Sequence, residues 1–318
     1  MRLDEHKIYL LGEFAEDYLE HRISRRDLLR RALLVTGSVP LAATSLLALG
    51  CSDSDSDSAP AATVTTPPPT SAPSATTGAS SIGVPENDPA IVATAVTYPG
   101  AAGELKGYLA RPREGGPSAA LIVIHENRGL VDHIRDVARR YAKEGFVALA
   151  VDMASRGGGS TADTQQNLGL LNQVSAEDHV KDLQSAIDYL KAQSFVRAGA
   201  FGVTGFCYGG GFTFDLTAAS ADIKAGVPYY GTAARALSNG LDRTKAAVLV
   251  MYGGADTRIT GERGQVETAL KTAGATYEIK VYEGAGHAFF NDTGGSYNEA
   301  AAKDAWTATL AWFRKYLA

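Results

Sequence analysis

Past residue 90 the chain alternates short apolar runs with longer amphipathic stretches. The apolar runs, at residues 119–125, 145–152, 200–204, 225–230 and 246–252, are typical of strands buried on both faces of a parallel sheet. Residues 91–97, 104–111 and 276–282 predict three further strands, and residues 132–143, 177–191, 212–219 and 299–316 predict helices. Strands that alternate with helices predict an α/β fold whose mostly parallel central sheet carries helices on both faces.

A glycine-x-cysteine-x-glycine pattern at residues 205–209 lies between a predicted strand and a predicted helix. This arrangement is typical of a nucleophile elbow, because glycines two residues before and after the nucleophile let the strand and the helix cross closely. The central residue is Cys207, and the positive end of the helix dipole would favour its thiolate. The alternative is a buried structural cysteine. The pattern makes Cys207 a candidate nucleophile and the backbone N–H of Tyr208 a candidate oxyanion donor.

An elbow predicts that an acid and then a histidine follow later strands along the chain. Asp256 lies just past the strand at 246–252, and His287 follows the strand at 276–282. Taken alone, Asp256 could be a turn or helix-capping residue and His287 a core histidine. Because the carboxyl ends of parallel strands meet at one edge of a sheet, the three residues together predict a triad of Cys207, Asp256 and His287.

Residues 1–51 carry the pattern of an export signal. Residues 24–30 resemble a twin-arginine signal through the paired Arg25 and Arg26, and a weakly hydrophobic segment follows them. Residues 46–51 resemble a lipobox in which Cys51 would be acylated after cleavage. An uncleaved anchor and a simple cleaved signal are the alternatives. We expect an exported protein, periplasmic or membrane-anchored through its N-terminus, that faces outside the cytoplasm.

Residues 52–88 consist mainly of Ser, Asp, Thr, Pro and Ala. Such a segment cannot bury enough apolar surface to offset chain entropy, so we expect a disordered linker. The formal net charge of the 318-residue chain is −5, and the acidic residues in excess lie in this segment: Asp53, Asp55, Asp57, Glu86 and Asp88. No basic patch indicates a nucleic-acid partner. Residues 89–318 remain as the functional domain, for which we expect a monomer without cofactor or metal.

This domain resembles the dienelactone hydrolase family (carboxymethylenebutenolidases) of the α/β-hydrolase superfamily. The resemblance rests on residues 125–129, 205–210, 253–256 and 286–289. It implies hydrolysis of a small ester or lactone through a thioester acyl-enzyme. It also implies that Glu126 contacts the resting thiol and shifts when substrate binds, and that the backbone N–H of Asn127 supplies the second oxyanion donor.

The resemblance also bears on the substrate, because the family holds a substrate carboxylate with arginines. Arg156 matches one of them, whereas Asn291 occupies the place of the other, which argues against the dienelactone itself. Tyr230 and Phe289 could line an aromatic pocket, although aromatic residues at strand ends also serve as plain packing. Two alternatives stay open, an exported cysteine hydrolase of other specificity and a non-catalytic anchored binding domain.

Overall fold

The protein is described from a computed structural model, which covers residues 11–12, 14–15, 18, 24–36 and 83–318. The acylation candidate Cys51, most of the linker, and the apolar segment after the paired arginines beyond residue 36 lie outside the described residues, so the predictions made for them stay predictions. The chain divides into two compact units, a larger one that contains Val84–Ala318 and a smaller one of Leu10–Gly83.

In the smaller unit, helix α1 spans Arg25–Thr36 and so begins at the paired arginines. Its first turn is closed by Ser24, whose Oγ accepts a hydrogen bond from the backbone N–H of Asp27 at 3.2 Å. Its buried hydrophobic residues are Leu28, Ala32 and Val35. Among the described residues, no helix combines the length and the apolar character that crossing a membrane requires.

In the described part of the larger unit, eight strands form a single sheet. They are β1 (Ile91–Gly100), β2 (Gly103–Pro112), β3 (Ser118–Ile124), β4 (Val147–Val151), β5 (Val196–Phe206), β6 (Ile223–Tyr229), β7 (Ala247–Gly253) and β8 (Tyr277–Tyr282). Their spatial order is β1-β2-β4-β3-β5-β6-β7-β8, with antiparallel pairing from β1 to β4 and parallel pairing from β4 to β8. Every residue of β4 and β7 is buried, as expected of strands covered on both faces.

Helices cover both faces of this sheet. They are α2 (Asp132–Lys143), α3 (Thr164–Asn172), α4 (Ala176–Lys191), α5 (Tyr208–Ala219), α6 (Ala234–Asn239), α7 (Thr257–Thr260), α8 (Arg263–Ala273) and α9 (Glu299–Tyr316). The ring of Tyr141 in α2 lies 4.5 Å from that of Trp306 in α9, and the ring of His179 in α4 lies 5.2 Å from that of Phe212 in α5. Helix α2 connects β3 to β4, whereas α4 and α5 lead to β5 and β6, which lie in the opposite direction across the sheet. Because such crossovers are right-handed, α2 and α9 lie on one face of the sheet and α4 and α5 on the other.

The predicted α/β-hydrolase architecture with its mostly parallel sheet is confirmed. Helices α2 and α9 span the predicted residues 132–143 and 299–316. The strands agree with the prediction to within a few residues at their ends, and the largest difference is at β5, which begins at Val196. Helices α3, α6, α7 and α8 were not predicted; α6 and α7 have only 6 and 4 residues, too few to show a helical period.

Candidate active site

Cys207 occupies the turn between β5 and α5 and is 4% exposed. Its backbone φ of 54° and ψ of −112° form a combination that residues with a Cβ rarely adopt. Glycines allow the crossing: a Cβ on Gly205 would lie 2.3 Å from the carbonyl oxygen of Gly209, and a Cβ on Gly209 would lie 2.4 Å from that of Ile124. The turn therefore has the strained, closely packed backbone that an elbow requires.

Asp256 and His287 meet at the carboxyl end of the sheet. His287 Nδ1 lies 2.6 Å from Asp256 Oδ2, and the two side chains are 6% and 0% exposed. The other carboxylate oxygen, Oδ1, accepts the backbone N–H of Ile259 at 3.3 Å, so Asp256 is also the N-cap of α7. With Nδ1 directed at the carboxylate, Nε2 is the nitrogen of this ring that can take up and return a proton.

Glu126 is buried in the loop after β3. Its Oε2 accepts a hydrogen bond from Asn291 Nδ2 at 2.8 Å, whereas its Oε1 and the hydroxyl of Tyr230 have no well-formed hydrogen bond within the described ranges. Burial first, and then the charges of Glu126 and Cys207, raises the pKa of Tyr230 well above its ordinary value. All three side chains are buried, and these interactions place Glu126, Cys207 and Tyr230 in one cluster.

Backbone strain marks the same cluster. In the part of the chain that the structure describes, the residues other than glycine with positive φ are Cys207, Tyr230 and Ala288, at 54°, 37° and 60°. Cys207 and Tyr230 directly follow β5 and β6, and Ala288 follows His287. The ring of Tyr230 lies 5.1 Å from that of His287. Strained conformations of this kind concentrate at functional sites.

The loop that carries Asn291 is anchored on helix α2. Asp292 lies 3.0 Å from His133 Nδ1 and 2.6 Å from Arg140 Nη2. Burial raises the pKa of the Asp292 carboxyl, but the hydrogen bonds and charges of His133 and Arg140 outweigh burial and hold this pKa well below its ordinary value. These two contacts therefore fix the residue next to Asn291, and with it the amide that binds Glu126. In the sequence, Asn291 stands out only through its place in a family pattern, and no pattern indicates Asp292.

A buried histidine supports the first residue of α5. His179 Nε2 lies 2.9 Å from the hydroxyl of Tyr208 and 3.2 Å from the carbonyl oxygen of Leu171. Burial lowers the pKa of His179 to about 4, so the imidazole is neutral near pH 7. This contact holds the side chain of Tyr208, the residue whose backbone N–H is the oxyanion candidate. The sequence does not predict this role, because a histidine on the buried side of a helix looks like any core residue.

Two of the predicted substrate contacts have other partners. Arg156 lies in a short 3₁₀ turn after β4, where its Nε is 2.8 Å from Asp182 Oδ2 and its Nη1 is 3.5 Å from Asp178 Oδ2. A substrate carboxylate would have to share the guanidinium with them. Phe289 is fully buried, with its ring 5.4 Å from that of Tyr230. Contact between substrate and either Arg156 or Phe289 stays a prediction.

Comparison with known proteins agrees with the fold. The model of the dienelactone hydrolase family matches residues 105–317. A candidate carboxymethylenebutenolidase from Methylorubrum extorquens is 35% identical over 238 residues, which cover 71% of this chain and 82% of the relative. Another from Escherichia coli O157:H7 is 37% identical over 263 residues, which cover 77% and 94%.

A solved structure supports the same relationship. The crystal structure of a candidate dienelactone hydrolase from Klebsiella pneumoniae is 33% identical and superposes with a TM-score of 0.65, covering 71% of this chain and 100% of the other. The match to the family model extends from β2 to α9 and includes the loops that carry Glu126, Cys207, Asp256 and His287. The chain therefore belongs to the dienelactone hydrolase family and is a hydrolase of carboxylic esters or lactones.

Proposed function

We propose that the protein hydrolyses a small carboxylic ester or lactone through a thioester formed on Cys207. The observation that carries this proposal is the 2.6 Å contact between His287 Nδ1 and Asp256 Oδ2, at the sheet edge where Cys207 occupies its strained turn. Acyl transfer of this type needs a nucleophile, a base and a group that orients the base. Cys207, His287 and Asp256 take these roles in that order.

In the first step His287 Nε2 takes the thiol proton, and the sulfur bonds to the substrate carbonyl carbon. The oxyanion that forms accepts hydrogen bonds from the backbone N–H groups of Tyr208 and Asn127. The carbon–oxygen bond then breaks, and the imidazolium gives its proton to the departing alkoxide or enolate. Water, deprotonated by His287, attacks the thioester and releases the carboxylic acid and the thiol. Tyr230 and Phe289 flank the acyl group.

The charges around the site favour a substrate without a carboxylate close to the reacting carbonyl. Asn291 is neutral and its amide is bound to Glu126, and the guanidinium of Arg156 is already compensated by Asp182. A carboxylate buried next to Glu126 without a cation of its own would be strongly disfavoured. Any contribution of Arg156 to substrate binding would require it to bridge substrate and Asp182.

The test is a panel of uncharged and carboxylate-bearing esters and lactones, assayed with the full chain. With Cys207→Ala we expect kcat/KM to fall by a factor on the order of 10³ to 10⁶, because the nucleophile is removed. Mass spectrometry of quenched wild-type reactions should find the acyl adduct on the peptide that contains Cys207. The matched control is Cys51→Ala, which removes the other cysteine and should keep the wild-type rate.

Each result bears on a separate part of the proposal. Hydrolysis that survives Cys207→Ala would remove the thiol from the mechanism. A preference for carboxylate-bearing substrates would contradict the substrate class and leave the nucleophile in place. Faster cleavage of peptides than of esters would favour the alternative of a cysteine hydrolase of other specificity, and a panel with no turnover would favour a binding domain.

We also propose that residues 1–51 export the protein, that residues 52–88 tether it, and that the domain at 89–318 works outside the cytoplasm as a monomer. In the native host, the double variant Arg25→Lys/Arg26→Lys should stay in the cytoplasmic fraction, because this export route recognises paired arginines.

Lipidation of Cys51 has its own test. Cys51→Ala should move the exported protein from the membrane fraction to the soluble fraction. Normal export of the double variant, or membrane association without Cys51, would contradict the corresponding part.

A further inference from the structure

His125 is a fully buried histidine that the triad does not use. It is the first residue after β3, directly before Glu126. Its Nδ1 lies 2.6 Å from the backbone carbonyl oxygen of Glu126, and its Nε2 accepts the backbone N–H of Met153 at 3.1 Å. The ring therefore links the loop after β3 to the loop after β4 through two backbone groups.

These two contacts determine the protonation of the ring. Since a carbonyl oxygen only accepts, Nδ1 must carry the proton; since the N–H of Met153 only donates, Nε2 must be bare. The neutral Nδ1–H tautomer is the form that satisfies both, and burial lowers the pKa of His125, which favours the same neutral form. His125 thus donates a short hydrogen bond to the carbonyl of Glu126.

That carbonyl belongs to the same peptide unit as the N–H of Asn127. A trans peptide is planar, and its C=O and N–H point in opposite directions, so fixing one fixes the other. The carbonyl of Glu126 also accepts the N–H of Gly129 at 3.3 Å, a longer contact within the same turn. The short contact with His125 is therefore the stronger constraint on the direction of the Asn127 N–H.

The loop also lies against the start of α5. A Cβ on Gly209 would be 2.6 Å from the carbonyl oxygen of His125, so the turn that carries Cys207 and the loop that carries Asn127 are in backbone contact. The peptide unit that His125 holds is consequently next to the elbow, where an acyl oxyanion would form.

We propose that His125 is a positioning residue that directs the Asn127 N–H at the oxyanion; this inference rests on the proposed function, which gives that N–H its role. His125 itself touches neither the substrate nor the sulfur. It acts only through the orientation of one peptide plane.

Two substitutions separate the two ring nitrogens. In His125→Asn, the side-chain N–H₂ can reach the place of Nδ1 and keep the hydrogen bond to the Glu126 carbonyl, while the acceptor for Met153 is lost. In His125→Gln, the side-chain oxygen can reach the place of Nε2 and keep the acceptor for Met153, while the donor to Glu126 is lost. Thr244→Val is the stability control, because it removes the buried hydrogen bonds of Thr244 with Thr217 and Ala246. Thr244 and Ala246 lie before β7, at the end of the parallel strands opposite the elbow.

We expect kcat for an uncharged ester to fall on the order of 100-fold in His125→Gln, with KM little changed, because one oxyanion donor is misdirected. The kcat of His125→Asn should stay within about threefold of the wild-type kcat, a small change compared with the effect of losing an oxyanion donor. Binding of 1,1,1-trifluoro-3-phenylpropan-2-one, followed by ¹⁹F NMR, reports the pKa of the hemithioketal hydroxyl on Cys207. This pKa should rise in His125→Gln and stay at the wild-type value in His125→Asn and Thr244→Val.

Iodoacetamide separates this inference from the proposed function, because alkylation of a thiolate forms no oxyanion. Its rate with Cys207 should be equal in all these variants. A hemithioketal pKa that stays at the wild-type value in His125→Gln, or a kcat that falls more in the smaller His125→Asn than in His125→Gln, would show a purely structural histidine and overturn the inference. If the wild type forms no adduct on Cys207, the proposed function fails and this inference fails with it.

Discussion

At the scale of single residues, Glu126 is the group whose surroundings are hardest to explain by packing. One carboxylate oxygen is bound by Asn291, while the other is buried without a well-formed hydrogen bond in the described chain. A buried carboxylate with an incomplete set of hydrogen bonds lowers the stability of the fold. Such a group is retained where its electrostatic effect on neighbouring groups serves the function. The field that raises the pKa of Tyr230 should act on the thiol of Cys207 in the same direction.

We therefore expect Glu126→Gln to lower the pKa of the Cys207 thiol, because a carboxylate near a thiol disfavours the thiolate. Near neutral pH the rate of alkylation by iodoacetamide should rise roughly tenfold, which corresponds to a change of about one in pKa. The measurement is the alkylation rate from pH 6 to 9, followed by mass spectrometry of the Cys207 peptide. Glu144→Gln is the control, because Glu144 lies on the surface and pairs with Arg314. An unchanged or slower alkylation in Glu126→Gln would contradict a repressive role for this carboxylate.

The sequence predicted the residues of the candidate triad more readily than their supports. Cys207, Asp256 and His287 follow strands, and the order of a nucleophile elbow relates them. Asn291 binds Glu126 across 165 positions of the chain, and no local pattern links two such distant residues. The contacts of His125 were missed for a different reason: its partners are backbone atoms, which carry no sequence signal.

At the scale of elements, the start of α5 is fixed by contact between backbones. A Cβ on Gly209 would lie 2.4 Å from the carbonyl oxygen of Ile124 in β3, and a Cβ on Gly210 would lie 2.3 Å from that of Tyr229 in β6. Carbonyl oxygens inside a sheet cannot move away without losing ladder hydrogen bonds. The helix and the sheet therefore admit no side chain between them at these two positions.

For that reason Gly209→Ala should lower the free energy of unfolding by several kcal/mol, in the range of severe overpacking, roughly 3 kcal/mol or more. The matched control is Gly169→Ala in α3, where an added Cβ meets no atom within 4 Å. Alanine has the higher helix propensity, so this control should gain about 0.5–1 kcal/mol. Guanidinium unfolding of both variants and wild type is the measurement, and equal stabilities for the two variants would contradict the packing argument.

Helices with a strong apolar period were predicted with the correct ends, as α2 and α9 illustrate. Helix α8 was missed because its buried residues are only Val266 and Leu270, too few to reveal a period. Helix α3 contains the flexible Gly169 and a polar first turn, which resemble a loop when only the sequence is considered. Short or weakly apolar helices form here because the sheet supplies a surface, and that surface is a property of the assembled fold.

At the scale of the whole molecule, buried neutral histidines make folding sensitive to pH. Burial lowers the pKa of His179 to about 4, whereas in an unfolded chain a histidine has a pKa near 6.5. The stability that His179 permits is fully present above about pH 6.5, and it is lost as the pH falls towards 4, because the unfolded state then binds a proton that the folded state excludes.

Between pH 7.5 and pH 5, this group alone should cost the wild type roughly 2 kcal/mol of unfolding free energy. His179→Gln has no titrating group at this position, so its stability should decline by about that much less over the same interval. Guanidinium unfolding at both pH values measures the difference, and other titrating groups, such as His125, are common to the two proteins and cancel. Identical pH dependence in the two proteins would show that His179 does not titrate with folding.

The sequence predicted a parallel sheet but not the order of its strands. That order, with β3 between β4 and β5, depends on the direction in which each connection crosses the sheet. The apolar pattern of a strand does not indicate which strands lie next to it. It is this order that places the loop after β3 between the loop after β4 and the elbow after β5.

The backbone contacts of Gly209 and Gly210 also bear on how such proteins diverge. A glycine position that tolerates no side chain cannot be substituted without loss of folding. The sulfur of Cys207 therefore keeps one location relative to the sheet in any descendant that still folds. New substrate preferences must then arise in the loops around this fixed point, at places such as Arg156 and Asn291. Sequence variation among descendants should therefore be concentrated in the loops after the strands and be rare at the start of α5.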